Sequence, residues 1–190
     1  MMTSPSAENL SQEALMAVEE AKKWVNEQNI DSEDREEVQK LLDAHDYQEI
    51  LERFYQNLEF GTGGLRSILG MGTNRVNKYT IRKATLALAR AMKKAEVPHK
   101  VAITYDSRKF SFDFAQEVAG VLAAQNVESF IFKRLNPVPL LSFSIRHHGA
   151  GAGVMVTASH NPPEYNGYKV FWRDGAQVTP PHDQNMIAEY

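Results

Sequence analysis

Residues 153–172 read GVMVTASHNPPEYNGYKVFW, and this stretch decides the fold. The apolar run at 153–159 and the run at 167–172 predict two strands, separated by a polar loop that is rich in turn-forming residues. The loop is too short to hold a crossover helix, so we expect the two strands to be antiparallel. Because the loop follows a buried strand, it lies where α/β sheets place their ligand sites.

Strands and helices alternate on the N-terminal side of this stretch. The apolar pattern predicts a helix over 81–95, a strand at 101–105, a helix from Ser111, a strand at 129–133 and a helix over 139–148. Arg146, His147 and His148 before Gly149 are typical of a helix C-terminus. The alternation indicates the α/β class: a layered α/β/α domain with a mixed, mainly parallel sheet and helices on both faces. After the last strand, Thr179 is predicted to cap a further helix.

Residues 1–57 are predicted to form an acidic helical N-terminal extension. They carry 14 acidic against 5 basic residues, whereas residues 58–190 carry 10 against 16. The spacing of Leu10, Ala14, Ala17, Ala21 and Trp24 predicts a first helix. Asp31 or Ser32 can cap a second helix, and a third is predicted over 47–57. We therefore divide the chain into an extension at 1–57 and an α/β domain at 58–190.

The composition argues against several classes of protein. The chain has no cysteine, which excludes disulfides, thiol nucleophiles and cysteine zinc sites. No run approaches the roughly 20 apolar residues of a membrane span, and the N-terminus lacks the features of an export signal. We therefore expect a cytoplasmic protein without a membrane partner. The basic residues of the α/β domain are scattered, which favours small anionic ligands over nucleic acid.

The polar loop gathers several groups that could carry chemistry. Ser159 offers a hydroxyl, His160 an imidazole, Asn161 an amide, and Lys169 an ammonium on the next strand, a set suited to binding or moving a phosphoryl group. The same residues also fit an ordinary polar turn, because Asn-Pro and Asn-Gly are common turn signals. A serine-hydrolase interpretation is disfavoured, since Ser159 lacks the flanking glycines of a nucleophile elbow.

The segment FGTGGLR, at 60–66, is a candidate anion-binding loop. Its three glycines let backbone amides approach an anion closely, and Arg66 adds a planar, permanently charged donor fork. The segment matches neither the P-loop nor the dinucleotide-binding pattern. A tight turn is therefore an equally good interpretation.

Asp106-Ser107-Arg108 follows the strand predicted at 101–105 and lies at the same expected sheet edge as Ser159. It is either part of the site or an Asp and Arg pair that holds a loop. The residues alone slightly favour the second interpretation.

The order of these motifs resembles the α-D-phosphohexomutase family. FGTGGLR, then YDSR after a strand, then TASHNP with a lysine ten residues beyond the serine, cover roughly 58–169. The helical prefix and the segment TNRVNKYT are most similar to the branch of phosphoglucomutases and phosphopentomutases with N-terminal extensions. Position 67 is Ser where many relatives have Gly, which affects only the local loop geometry.

The resemblance implies an isomerase of carbohydrate metabolism that acts as an intramolecular phosphotransferase. Ser159 would donate its phosphate to a phosphorylated hexose or pentose and recover it from a bisphosphate intermediate, moving phosphate between O1 and O6. Lys169 would act as general base and acid, while His160 and Arg66 would position and stabilise the transferred group. The residues that would bind or support the substrate phosphate are Thr62, Gly63, Asn161, Asp106 and Arg108.

The resemblance also implies parts that these 190 residues do not contain. Family members have four domains, and the later ones supply an aspartate-rich Mg²⁺ loop, a sugar loop and a phosphate clamp. Mg²⁺ would take one ligand from the phosphate on Ser159, and a sugar 1,6-bisphosphate would act as activator. We therefore expect the chain to need the C-terminal domains of the same enzyme, and to be inactive or nearly so alone. The alternative is a non-catalytic module that binds phosphorylated sugars.

Overall fold

The computed structural model describes residues 10–61 and 63–190. These residues form two compact units. The first runs up to Leu58 and also includes Gly70–Arg75, and the second comprises Glu59–Leu69 and Val76–Tyr190. Residues 1–9 of the predicted extension lie outside the described part of the chain.

The first unit contains three helices within its described residues: α1 (Gln12–Asn26), α2 (Ser32–Asp43) and α3 (Tyr47–Phe54). Asp31 is the N-cap of α2, and α3 ends three residues before the predicted limit at 57. The regularly spaced alanines of α1 face inward, as the sequence predicts, and pack against α2 and α3. The core of this unit consists of Ala17, Ala21, Val38, Ile50 and Phe54.

Arg53 ties the segment Gly70–Arg75 to α3. Its Nη1 donates to the carbonyl of Met71 at 3.1 Å, and its Nε donates to Glu49 Oε1 at 2.8 Å. Arg75, which is almost fully buried, donates to the same Glu49 oxygen at 3.1 Å. Burial by itself would raise the pKa of Glu49, but the two guanidinium groups outweigh it and lower the pKa. The ionised form of Glu49 therefore stabilises the contact between α3 and the segment Gly70–Arg75.

The second unit alternates strands and helices, as the sequence predicts. In chain order its elements are β1 (Gly64–Ile68), α4 (Lys78–Lys94), β2 (Lys100–Tyr105), α5 (Ser111–Ala124), β3 (Glu128–Ile131), α6 (Val138–His147), β4 (Ala152–Val156), β5 (Tyr165–Trp172) and α7 (His182–Glu189).

Within the described residues the strands form one mixed sheet in the order β1-β5-β4-β2-β3. Strand β2 is parallel to both β3 and β4, and β5 is antiparallel to both β4 and β1. This topology confirms the α/β class and the antiparallel pairing of the last two strands. The parallel core β4-β2-β3 directs the carboxyl ends of β2 and β4 to the same edge.

Both faces of the sheet are covered. Ala102, Met155 and Phe171 pack against Leu141 and Ile145 of α6 on one face. The residues that alternate with them, among them Ile103, Val154 and Val170, are fully buried on the other face. Helix α5 contacts β2, β3 and β4. Burial on both faces is what the near-continuous apolar strands of the sequence require.

The helix ends agree with the predictions in one case and differ in another. Helix α6 ends in basic residues, with His148 as C-cap and Gly149 at φ +60°, so the predicted C-terminus is confirmed. The predicted Thr179 cap is wrong, because α7 begins at His182 and its N-cap is Pro181. The carbonyl of Thr179 instead accepts the amide of His182 at 3.0 Å.

Candidate active site

The candidate site lies where the parallel strands β2 and β4 end side by side. Asp106 directly follows β2, and Thr157 directly follows β4. The amide of Asp106 donates to the carbonyl of Val156 at 3.2 Å, which joins the two strand ends. Strand β4 thus ends earlier than the predicted residue 159, and its last three predicted positions form the start of the loop.

The carboxylate of Asp106 organises this edge. Its Oδ1 accepts the amide of Arg108 at 3.0 Å and the hydroxyl of Ser111 at 2.8 Å. Its Oδ2 accepts the hydroxyl of Thr157 at 2.6 Å. Thr157 in turn accepts the amide of Ser159 at 2.9 Å. Two successive hydrogen bonds therefore join the amide of Ser159, through Thr157, to the carboxylate of Asp106.

Arg108 holds the loop that carries Ser159. Its side chain is 14% exposed, and its Nε lies 3.4 Å from Asp106 Oδ2. The guanidinium donates to four backbone carbonyls of the loop. These are Pro162 (2.7 Å) and Tyr165 (3.0 Å), reached by Nη1, and Asn161 (2.6 Å) and Ser159 (3.0 Å), reached by Nη2.

Ser159 stands at the turn of this loop in an uncommon backbone conformation. Its φ is +61°, in the left-handed region that few residues other than glycine adopt. Ser159 and His160 are both exposed, and the amide of Asn161 closes the turn onto the carbonyl of Ala158 at 3.2 Å. The loop therefore presents the serine to solvent while its backbone is held from below.

Arg66 reaches the same loop from β1. Its Nη1 lies 3.5 Å from Asn161 Oδ1, and Arg66 itself is exposed. The structure thus brings Ser159, Asn161 and Arg66 together, although the last is about ninety residues away in the chain. An exposed guanidinium that reaches the loop of an exposed serine is a suitable arrangement for an anion such as phosphate.

Lys169 lies on β5 beside the glycine-rich segment. The register pairs it with Gly64 of β1 on one side and Met155 of β4 on the other. The carbonyl of Gly63 accepts the amide of Val170 at 2.9 Å, so this segment runs along β5. Thr62, the other predicted phosphate-binding residue here, lies outside the described residues.

Gly63 and Gly64 are required by the close approach of this segment to β5. They have φ values of +83° and +145°, which side-chain-bearing residues rarely adopt. A Cβ at Gly64 would run into the carbonyl oxygen of Tyr168. The two glycines therefore allow the segment to pack directly on the strand that carries Lys169.

Buried polar residues that the sequence motifs did not indicate also support the site. Asn166 is buried and donates to the carbonyl of Lys109 at 2.9 Å and to Ser111 Oγ at 3.0 Å. Its Oδ1 accepts the amide of Gly167 at 2.7 Å. The Asn-Gly pair indicated a turn, but β5 begins at Tyr165 and includes both residues. The signal available in the sequence for a buried Asn166 was its place between Tyr165 and Tyr168, two residue types that favour strands.

The described residues do not provide a metal site. Among residues 10–61 and 63–190, no group of three or more His, Asp or Glu side chains is placed to hold a metal ion. Asp106, the carboxylate of the site, already accepts from Arg108, Ser111 and Thr157. The side chains present do not fit Mg²⁺ by themselves. In the same described residues, no helix is long and apolar enough to cross a membrane.

Residues 57–190 match the phosphoglucomutase/phosphomannomutase family in its alpha/beta/alpha domain I. This chain belongs to that family. Among curated relatives of the phosphoglucomutase/phosphomannomutase family, a Schizosaccharomyces pombe protein assigned as a phosphoribomutase is 38% identical over 162 residues, which are 83% of this chain and 27% of the relative. A Staphylococcus epidermidis phosphoglucomutase is 43% identical over 122 residues, 64% of this chain and 22% of the relative. The chain therefore spans about a quarter of these relatives.

Solved structures of the phosphoglucomutase/phosphomannomutase family have the same fold. A Thermus thermophilus protein assigned as a phosphomannomutase superposes with a TM-score of 0.65 at 30% identity, over 70% of this chain and 30% of that one. A Paramecium phosphoglucomutase superposes with a TM-score of 0.56 at 21% identity, over 70% of this chain and 26% of that one, and supports the fold alone. The family resemblance stated from the motifs is thereby confirmed.

Proposed function

We propose that this chain is the phosphoserine-bearing part of a phosphosugar mutase, an isomerase that moves phosphate within a phosphorylated hexose or pentose. The observation that carries the proposal is the exposed Ser159, held at a clamped turn beside the carboxyl ends of β2 and β4. Arg66 adds a cation to the same loop. Family membership supports this class of reaction, since the matched relatives are named as sugar-phosphate mutases.

The proposed reaction transfers phosphate out from Ser159 and back. A sugar hydroxyl attacks the phosphorus on Ser159, so a P–O bond to the sugar forms as the bond to Ser159 Oγ breaks. Lys169 takes the proton of the attacking hydroxyl. In the second half, Ser159 Oγ recovers the other phosphate of the bisphosphate, and Lys169 returns the proton to the sugar oxygen.

Phosphoryl transfer depends mainly on alignment and on cations at the non-bridging oxygens. We assign the cationic role to Arg66 and the hydrogen-bonding role to His160, Asn161 and Gly63. Mg²⁺ would supply further charge neutralisation, but it would need ligands from beyond the described residues, so no step is assigned to it. A cytoplasmic location, a sugar 1,6-bisphosphate activator and the remaining domains of a longer enzyme belong to the same proposal.

Intact-mass measurement and phosphopeptide mapping of the native protein, purified from its source cells, test the proposal. We expect one phosphoryl group on Ser159. A Ser159→Ala variant should lose both that group and mutase turnover, whereas Ser32→Ala, which changes an exposed serine of the first unit, should keep both. A native protein that binds glucose 6-phosphate with Ser159 bare would instead support a non-catalytic phosphosugar-binding module. Phosphate on a different serine, with Ser159 bare, would contradict the mutase proposal.

Lys169→Ala tests the assigned base. We expect kcat to fall on the order of 10²–10⁴-fold, because the attacking hydroxyl loses its proton acceptor. Lys93→Ala, on the exposed surface of α4, is the matched control and should have wild-type kcat. A Lys169→Ala enzyme with wild-type kcat and an unaltered pH profile would remove Lys169 from the mechanism.

A further inference from the structure

The turn at Ser159 needs an external restraint. A serine at φ +61° lies in a region that costs free energy for any residue with a Cβ, so neighbouring contacts must hold it there. The backbone of the loop supplies few of these contacts. Asn161 N donates to Ala158 O at 3.2 Å, and Tyr165 N donates to Pro162 O at 3.1 Å. Leu69 N also donates to Glu164 O at 2.9 Å. At Ser159 itself the restraint comes from side chains, because its amide donates to Thr157 Oγ1 and its carbonyl accepts from Arg108.

Arg108 supplies that restraint with four of its five N–H donors. A guanidinium carries five N–H groups in a fixed planar fork. Two N–H groups of Nη1 serve Pro162 and Tyr165, two of Nη2 serve Ser159 and Asn161, and the Nε–H faces Asp106 at 3.4 Å. No N–H of Arg108 remains for a phosphate group. In this respect Arg108 differs from Arg66, which is exposed and makes one long contact to Asn161.

Asp106 anchors this fork to the sheet. The carboxylate orients Arg108 through the backbone amide of Arg108 at 3.0 Å and through the Nε contact. It also accepts from Thr157, the residue that holds the amide of Ser159. Arg108 therefore binds the carbonyl of Ser159, and Thr157 binds its amide. Both side chains also contact the carboxylate of Asp106.

We propose that Arg108 is a positioning residue that locks the Ser159 turn through the backbone carbonyls of Ser159, Asn161, Pro162 and Tyr165, and does not bind the substrate phosphate. The effect of this clamp on catalysis rests on the proposed mutase function, whereas its effect on the loop does not. The clamp is complete without a ligand, so the turn is aligned before substrate arrives, which is what phosphoryl transfer requires. In this proposal Arg66 binds the substrate phosphate and Arg108 sets the geometry of the loop.

Arg108→Lys tests the clamp, because lysine keeps the positive charge but cannot serve four carbonyls. Arg90→Lys, an exposed arginine of α4, is the matched control. Amide hydrogen exchange within residues 158–165 should rise about tenfold or more in Arg108→Lys and stay unchanged in the control. Wild-type exchange in a folded Arg108→Lys protein would overturn the proposal.

Kinetics separate positioning from binding. In the native enzyme, Arg108→Lys should lower kcat on the order of tenfold to a hundredfold while KM for the sugar phosphate stays within about twofold. A KM increased about tenfold or more with kcat unchanged would show that Arg108 binds substrate. The exchange measurement needs no turnover, so failure of the mutase proposal and failure of the clamp are distinguishable.

Arginine side-chain NMR of the wild-type chain decides the matter if the lysine variant does not fold. During titration with inorganic phosphate, the Arg66 guanidinium signals should shift and those of Arg108 should not. The Nη protons of Arg108 should also exchange slowly with solvent, because its side chain is only 14% exposed. Phosphate-dependent shifts confined to Arg108, or fast exchange of its Nη protons, would refute the clamp.

Discussion

Thr157 allows the sharpest test of how the Ser159 turn is held from its amide side. The buried hydroxyl donates to Asp106 Oδ2 at 2.6 Å and accepts the amide of Ser159 at 2.9 Å. Thr157→Val keeps the branched shape of the side chain and removes both hydrogen bonds. It removes the 2.6 Å donor of Asp106 Oδ2, which keeps the 3.4 Å contact with Arg108 Nε, and it removes the acceptor of the Ser159 amide.

The expected loss of unfolding free energy follows from the two hydrogen bonds that the variant lacks. A hydrogen bond to a charged carboxylate contributes about 1.5–3 kcal/mol, and one between neutral groups about 0.5–1.5 kcal/mol. The additional methyl group of valine recovers part of this loss through apolar burial. We therefore expect Thr157→Val to lower the free energy of unfolding of the second unit by about 2–4 kcal/mol.

Urea unfolding followed by tryptophan fluorescence measures this change. The chain has two tryptophans, and Trp24 belongs to the first unit, so a Trp24→Phe background leaves Trp172 as the reporter of the second. Thr157→Ser is the matched control, because it keeps the hydroxyl and loses one methyl group. It should cost about 1 kcal/mol. Hydrogen exchange at the amide of Ser159 should accelerate in the valine variant alone.

A valine variant as stable as the serine variant would refute the stabilising role of the Thr157 hydroxyl. That result would mean that the hydroxyl of Thr157 contributes nothing beyond its size. Unchanged hydrogen exchange at the Ser159 amide in the valine variant would mean that the Thr157 hydroxyl does not hold the loop.

Three further changes test the fold. Gly64→Ala should cost about 3 kcal/mol or more in urea unfolding, since the residue has φ +145° and a Cβ would meet the Tyr168 carbonyl; wild-type stability would contradict this. Gly120→Ala should stabilise α5 by about 0.5–1 kcal/mol, because a Cβ there meets nothing within 4 Å, and any loss of stability would count against it. The lowered pKa of Glu49 means that its ionised form stabilises the first unit above the ordinary value of 4.5, and that this contribution disappears as pH falls through the folded pKa. An acid titration followed by circular dichroism should therefore show a smaller loss of stability in Glu49→Gln than in wild type, and identical curves would show that ionised Glu49 contributes no stability.

The sequence by itself determined the alternation of helices and strands from α4 to β5 and the position of the candidate site, but not every element boundary. The strands β4 and β5, their antiparallel pairing and the loop between them follow from short-range patterns, because apolar runs and turn residues act over a few residues. The placement of Ser159 beside Asp106 follows from the general rule that parallel strands end at a common edge. The motifs then identified the family, which the comparisons confirm.

Only the tertiary structure decided which side chains hold which parts of the site. Arg108 and Ser159 are 51 positions apart, and nothing local shows that the guanidinium serves four carbonyls of a distant loop. Asn166 indicated a turn locally, but its pairing with Ser67 of β1 makes it part of a strand, where it is buried. The physical reason is that a polar side chain satisfies its hydrogen bonds with whatever groups the folded chain brings near it, and those groups are chosen by the packing of distant segments.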